Sequence, residues 1–237
     1  MAAEVDPTGL FSDRALLGRS STADRVADIL RARIAEGYLP PGSKLSEDAI
    51  GSALGISRNT LREAFRLLTH ERLLVHELNR GVFVRVLTVQ DVIDIYQVRR
   101  LIECAAVRNL GMPPYDLSNA EAAVAEGEKA AKEGDWRELG SANIHFHGAI
   151  VALAHSTRLD DLMRGVLAEL RLVFHGMENS RAFHEPYLAR NRDILAALKA
   201  ADTVNAELLL ASYLNDAEKQ LVKRHSEAIA AEPTPSL

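Results

Sequence analysis

The sequence predicts a mainly α protein: an N-terminal winged helix-turn-helix followed by a C-terminal all-α antiparallel helical bundle. Three observations predict it. Ser46–Leu54, Gly55-Ile56 and Ser57–His70 read as helix, tight turn and helix. Leu74–Glu77 and Gly81–Val86 read as two strands joined through Leu78-Asn79-Arg80-Gly81. From Thr88 onward the apolar residues recur at helical spacing, with no strand signal.

The elements follow in order. Residues 1–20 mix Gly, Pro, Asp and Ser without periodicity and are expected to form a flexible tail. Thr22 precedes a helix whose apolar stripe is Val26, Ile29, Leu30 and Ile34, stopped by Gly37 and Pro40-Pro41-Gly42. The winged motif then completes a module over 21–86. Thr88 caps a helix to about Leu110, ended by Gly111 and Pro113-Pro114. Ser118 with Glu121 and Asp135 with Glu138 give two capping-box-like starts. Further helices are expected near Arg158–Met177, Pro186–Ala200 and Val204–Arg224, with Pro186 in a first turn. The helical module spans 87–228, and 229–237 is a C-terminal tail, frayed over Glu232–Leu237.

Charge divides along the same line. Arg14–Arg85 holds 12 Lys+Arg against 8 Asp+Glu, a net +4, whereas Val86–Leu237 carries −6 within an overall −5. A basic module joined to an acidic one suits a nucleic-acid contact at one end and another task at the other. No apolar run is long enough to cross a bilayer, no signal-like core opens the chain, and the one cysteine, Cys104, lies in an apolar helical context. A cytoplasmic protein with a buried structural thiol is expected.

On the second helix of the motif, Leu61, Ala64 and Leu68 share one side, with Phe65 at its margin. Arg58, Asn59, Arg62 and Arg66 gather on the other. Such a helix fits the DNA major groove, where arginine bonds guanine bidentately and asparagine addresses adenine; Thr60 and the first-turn N–H groups suit phosphate. Exposed arginines alone mean only a solvated face; their place between a short helix and a Gly-containing hairpin makes double-stranded DNA the expected partner.

The helical half puts polar residues on inward faces. Arg99 and Glu103 lie with Val92, Ile95 and Tyr96; Asn143 and His147 with Leu139, Phe146 and Ile150. Asn191 lies among Tyr187, Ile194 and Leu198, and Tyr213 with Leu209 and Ala217. One inward polar residue is ordinarily satisfied by a neighbour, and Arg99 with Glu103 can neutralise each other. Recurrence on four helices points to a polar cavity.

Three stretches, Ile34–Glu47, Leu54–Ala64 and Gly81-Val-Phe-Val84, resemble the N-terminal domain of GntR-family bacterial transcription regulators. The resemblance implies operator contacts from Arg58, Asn59, Thr60 and Arg62, with Asn79, Arg80 and Gly81 at the wing, and a homodimer reading a near-palindromic operator. Asp48 stands where some members place a contacting arginine. Roughly Val86–Arg224 resembles the FCD ligand-binding domain of the FadR C-terminal type, through Ile95–Glu103 and Asn143-Ile-His-Phe-His147. That family commonly holds a divalent metal with one Asp and three His; here Asn143, Asn191 and Tyr213 take three of the four positions beside His147. Amides and a phenol are poor ligands for zinc-like ions, and His145 points to the opposite helical face, so no metal and no cofactor is expected.

The expected function is a regulator whose operator affinity a small effector, an organic acid, modulates. Arg99 would meet the carboxylate, His147, Asn143, Asn191 and Tyr213 would orient the effector, and Arg171 is added from its position near Leu167 and Phe174. The competing readings are a DNA-binding dimeric scaffold without an effector and an enzyme using His147 as acid or base. No phosphate loop or activated nucleophile supports the enzyme.

Overall fold

The computed structural model describes residues 21–175 and 180–231. The chain divides into two compact units, one ending at Arg85 and the other starting at Val86. The expected tail at 1–20, the end of a helix at Met177, and the frayed Glu232–Leu237 lie outside the described residues.

In the first unit, α1 (Thr22–Ala35) includes Thr22, which was expected to precede it, and is capped by Ser21. Ser21 Oγ accepts from the Asp24 N–H, and Asp24 reaches back to the Ser21 N–H. Val26, Leu30 and Ile34 are buried as expected, but Ile29 is 44% exposed, since at about 100° per residue it falls roughly a third of a turn round the helix from the stripe that faces α3. The helix-turn-helix is α2 (Glu47–Leu54) and α3 (Arg58–His70), turned by Gly55 at φ 64°, a left-handed conformation that favours glycine. Leu61, Ala64, Phe65 and Leu68 are buried against α1, α2 and the sheet.

The hairpin is β2 (Leu74–Glu77) and β3 (Gly81–Val84), with Asn79 at φ 60° and Gly81 at φ 110° supplying the turn. It ends two residues before the expected Val86. A two-residue strand, β1 (Lys44–Leu45), pairs antiparallel with β3 and gives the order β1-β3-β2. Nothing in the sequence marked it, because two residues are too short to show alternation. Arg31 closes the unit by a two-pronged ion pair to Glu71 at 2.6 and 2.8 Å.

The second unit packs α4 (Val89–Arg108), α5 (Ser118–Glu133), α6 (Trp136–Ala152), α7 (Thr157–His175), α8 (Ser180–Lys199) and α9 (Thr203–Ala231). Helix α6 lies at its centre, touching α4, α5, α7 and α8, while α9 packs on α4 and α8. Thr88 caps α4 in a full capping box with Asp91, and Asp135 caps α6. Ser118 is not a cap. It is the first helical residue of α5, and its own N–H and hydroxyl are held by Asp116.

Pro186 is not in a first turn either: α8 already runs from Ser180, so the ring removes one rung inside the helix. Helix α9 passes the expected end at Arg224 and the expected tail boundary at 229, reaching Ala231. A Cβ on Gly127 would meet Leu188 at 2.9 Å, so the missing side chain is what brings α5 close to α8. Cys104 is buried and free, its thiol pushed up to about 11, by burial first. No described helix is long and apolar enough to cross a membrane.

Candidate functional site

The first candidate site is the outer face of α3. Ser57 caps it by accepting from the Thr60 N–H at 3.2 Å and also lies 2.8 Å from the Thr60 hydroxyl. Ser57 therefore engages both the N–H and the hydroxyl of Thr60, and only the hydroxyl, which can make more than one hydrogen bond, keeps capacity for a further partner. The side chains of Arg58, Arg62 and Arg66 are 73%, 60% and 80% exposed, and Asn59 is exposed beside them.

Each arginine has an acidic neighbour: Asp48 for Arg58 and Glu47 for Arg62, both at 3.0 Å from α2, and Glu63 for Arg66 at 3.3 Å. These partners were missed in the sequence, where Asp48 registered only as a departure from the family pattern. Exposed pairs of this kind contribute about 0–1 kcal/mol, so they orient the guanidinium groups without locking them.

At the wing, Asn79 and Arg80 are exposed and Gly81 is half-buried. Arg80 pairs with Glu77 and lies over the Phe83 ring, 5.4 Å from its centroid. Lys44 of β1 approaches the same ring at 6.0 Å. Lys44 was also missed, since only strand pairing places it beside the wing.

The second candidate site is buried in the helical unit. Arg99 and Glu103, one turn apart on α4, pair at 2.7 Å. The other oxygen of Glu103 meets His147 Nδ1 from α6 at 2.6 Å. Asn143, one turn before His147, accepts at Oδ1 from Asn191 Nδ2 of α8 and from the Tyr213 hydroxyl of α9, both at 2.8 Å. The His147 and Tyr213 rings stack edge-on at 4.7 Å and join the two halves. Five of the six expected residues thus form one cluster. The sixth, Arg171, does not join it: half-buried on α7, it donates to Ser141 Oγ at 2.6 Å.

Burial opposes charge throughout the cluster. For Arg99 burial is the largest influence, but Glu103, then Tyr96 and Tyr213, outweigh it and hold the guanidinium above its ordinary value. For Glu103 burial is again largest, yet Arg99 and His147 hold the carboxyl below its usual range. Burial wins at His147, whose pKa falls, and at Tyr213, whose phenol is pushed far up. An ion pair this deep persists only with further hydrogen bonds around it.

These donors do not fit a transition metal. Asn143 Oδ1 is already taken by two donors, and the Tyr213 proton is strongly retained. His145 is exposed and pairs with Glu126 at 2.8 Å. Among the described residues no group of three or more His, Cys, Asp or Glu could hold a metal.

Three buried atoms of the cluster have no hydrogen-bond partner: Arg99 Nη2, His147 Nε2 and Asn191 Oδ1. Each such atom costs about 1–3 kcal/mol unless something meets it.

His184 is a further buried residue that sequence reasoning missed, because α8 was expected to start at Pro186; its spacing to Tyr187 and Asn191, three and seven residues on, was the available signal. Burial first, then Arg171 and Arg224, lower its pKa to about 4. The unfolded imidazole takes its proton near pH 6.5, the folded one only near 4, so stability falls as pH drops through that window. Between pH 7 and 5 the loss is about 2 kcal/mol. Urea midpoints at the two pH values, wild type against His184→Gln, measure it. An equal pH slope in both proteins refutes it.

Comparison with known proteins covers both halves. Residues 22–84 match the family described as bacterial regulatory proteins, gntR family, and residues 94–216 match the FCD domain. The crystal structure of a GntR transcriptional regulator from Rhodococcus sp. RHA1 shares 48% identity over 86% of this chain and 99% of that one, with a TM-score of 0.83. The gluconate operon transcriptional repressor of Bacillus licheniformis is 30% identical over 197 residues, 76% of this chain and 81% of that protein. The galactonate operon transcriptional repressor of Escherichia coli K12 is 28% identical over 173 residues, 64% and 75% of the two chains.

Proposed function

The chain belongs to the gntR family of bacterial regulatory proteins and carries an FCD domain, which makes it a DNA-binding transcriptional regulator, and from that premise we propose how its two sites work. The module at 21–86 reads an operator with Arg58, Asn59, Thr60, Arg62 and Arg66 of α3 in the major groove. Asn79, Arg80 and Gly81 approach at the wing. Two copies form a homodimer, so the operator is near-palindromic with half-sites one helical turn apart.

The helical module that starts at Val86 senses a small organic acid rather than performing catalysis, and does so without a metal. Arg99 takes the carboxylate, with His147, Asn191 and Tyr213 around it and Asn143 holding the last two in place; Arg171, bonded to Ser141, is left out of the site. The protein acts in the cytoplasm, where its operator is. The effector changes operator affinity through its different affinity for two arrangements of the DNA-reading modules.

The observation that carries this reading is the exposed arginine face of α3, opposite a face wholly committed to the core. The relatives named for gluconate and galactonate operons support an acid as effector. The test has two steps. Genomic fragments selected by the purified protein should share an inverted repeat. Thermal-shift screening against organic acids, with turnover monitored, should then give stabilisation without turnover, lost in Arg99→Ala. Turnover points to an enzyme, silence across the acids to a scaffold, and an unchanged shift in Arg99→Ala removes that residue from the site.

A further inference from the structure

Among the cations of the DNA-reading module, Lys44 differs from the arginines around it. Arg58, Arg62, Arg66 and Arg80 each pair with a carboxylate. Lys44 is exposed and enters no ion pair among the described residues. Strand pairing sets its place. Lys44 lies opposite Phe83, and Phe83 opposite Val75, so the three share the outer face of the sheet while Leu45 and Val82 turn into the core.

From that register the lysine stem runs toward the turn. A Cβ on Gly81 would stand 3.3 Å from Lys44 Cε and 4.0 Å from Nζ, so the stem crosses the bare Gly81 backbone and brings its charge beside the wing. Phe83 serves both wing cations, with Lys44 Nζ 6.0 Å and the Arg80 guanidinium 5.4 Å from the ring centroid. Arg80 shares its charge with Glu77. Lys44 keeps all of its own.

We propose that Lys44 is the phosphate contact of the wing: its ammonium meets a backbone oxygen of the duplex beside the groove that Asn79 and Arg80 approach. This deepens the operator reading above and rests on it. The residue type suits the role. An ammonium is a compact point charge that meets a phosphate oxygen from many directions, whereas base reading favours the planar fork of arginine. No ion pair has to open before Lys44 reaches the DNA, as those of Arg58 and Arg62 must. The contact therefore adds affinity without sequence preference, by releasing a counterion from the duplex. Specificity stays with α3.

Anisotropy titrations of the full chain across a range of salt concentrations test this. The probes are a genomic duplex selected by the protein and a scrambled duplex of the same length. Lys44→Gln should lower the slope of log affinity against log salt by about 0.9 for each module on the DNA. Both duplexes should weaken alike, about eightfold per module at about 0.1 M salt. Lys44→Arg keeps the charge and should keep the slope of the wild type. An unchanged ratio between the two duplexes marks an intact α3, which a misfolded variant cannot show.

An unchanged slope in Lys44→Gln takes the residue off the backbone and overturns the inference. A loss confined to the selected duplex makes Lys44 a base reader and overturns the phosphate assignment. An equal loss of slope in Lys44→Arg makes its role one of packing and overturns it as well. The operator reading fails separately: if Arg58→Ala/Arg62→Ala binds the selected duplex as tightly as the wild type while Lys44→Gln lowers the slope, α3 leaves the groove and the Lys44 contact stands.

Discussion

Glu103→Ala is expected to destabilise the helical unit by about 3–5 kcal/mol, because it strands a guanidinium that has no route to water. Arg99 is 1% exposed, and its carboxylate partner is fully buried between it and His147. Removing that partner leaves one buried charge uncompensated and releases the hydrogen bond to Nδ1 of His147. Replacing both residues by apolar ones of similar size, Arg99→Met with Glu103→Leu, should recover most of the loss, since the pair's attraction largely offsets the cost of burying it.

Urea midpoints for Arg99→Met, Glu103→Leu and their combination give the cycle, with Glu103→Ala measured beside them. A loss under about 1 kcal/mol in Glu103→Ala would show that Arg99 can turn outward, contrary to its packing against Tyr96. Acid titration supplies an independent arm. The Glu103 carboxyl sits below its ordinary value, so its contribution is complete above the unfolded carboxylate range and is lost as pH falls through the folded value.

The Arg58→Ala/Arg62→Ala double variant is expected to lose roughly 2–6 kcal/mol of specific operator binding, about 1–3 kcal/mol for each arginine that bonds a base edge. The pairs to Asp48 and Glu47 must open for these contacts to form. At 3.0 Å on an exposed surface they contribute about 0–1 kcal/mol each, too little to cancel the gain. The loss should be much smaller on unrelated duplex, where only phosphate attraction acts. Titrations at one fixed salt concentration, operator against unrelated DNA, separate the two. An equal loss on both would make the arginines phosphate contacts, and no loss would take α3 out of the groove.

Much of this was legible in the chain itself. Ser57, Gly55, Thr88 and Asp135 mark helix ends by chemistry that acts within three or four residues, and all four serve as expected. The inward polar positions were legible too, since helical spacing alone puts Arg99, Asn143, His147, Asn191 and Tyr213 on faces shared with apolar residues.

What failed has a common cause. Ser118 carries a suitable cap side chain, yet Asp116 claims it. Pro186 resembles a helix start, yet α8 runs through it. Ile29 is apolar, yet α3 meets α1 along a stripe that excludes it. In each case a neighbour overrides a local preference of about 1 kcal/mol: a nearby carboxylate at Ser118, and the packing of the surrounding helices at Pro186 and Ile29.

The order of residues by itself determined the two modules and the basic face of α3, because each depends on residue identity and on a helix period that needs no partner; that Asn143, Asn191 and Tyr213 stand at metal-type positions is what the family resemblance implies. Beyond the Arg99–Glu103 pair, which one turn of helix already brings together, only the tertiary structure decided which polar groups meet: Glu103 with His147, Asn143 between Asn191 and Tyr213, Asp48 and Glu47 against the α3 arginines, and Lys44 beside the wing. Hydrogen bonds act over about 3 Å, and these partners lie 10 to 70 residues apart in the chain. Helix packing alone sets such distances, and with them which atoms are left for an effector.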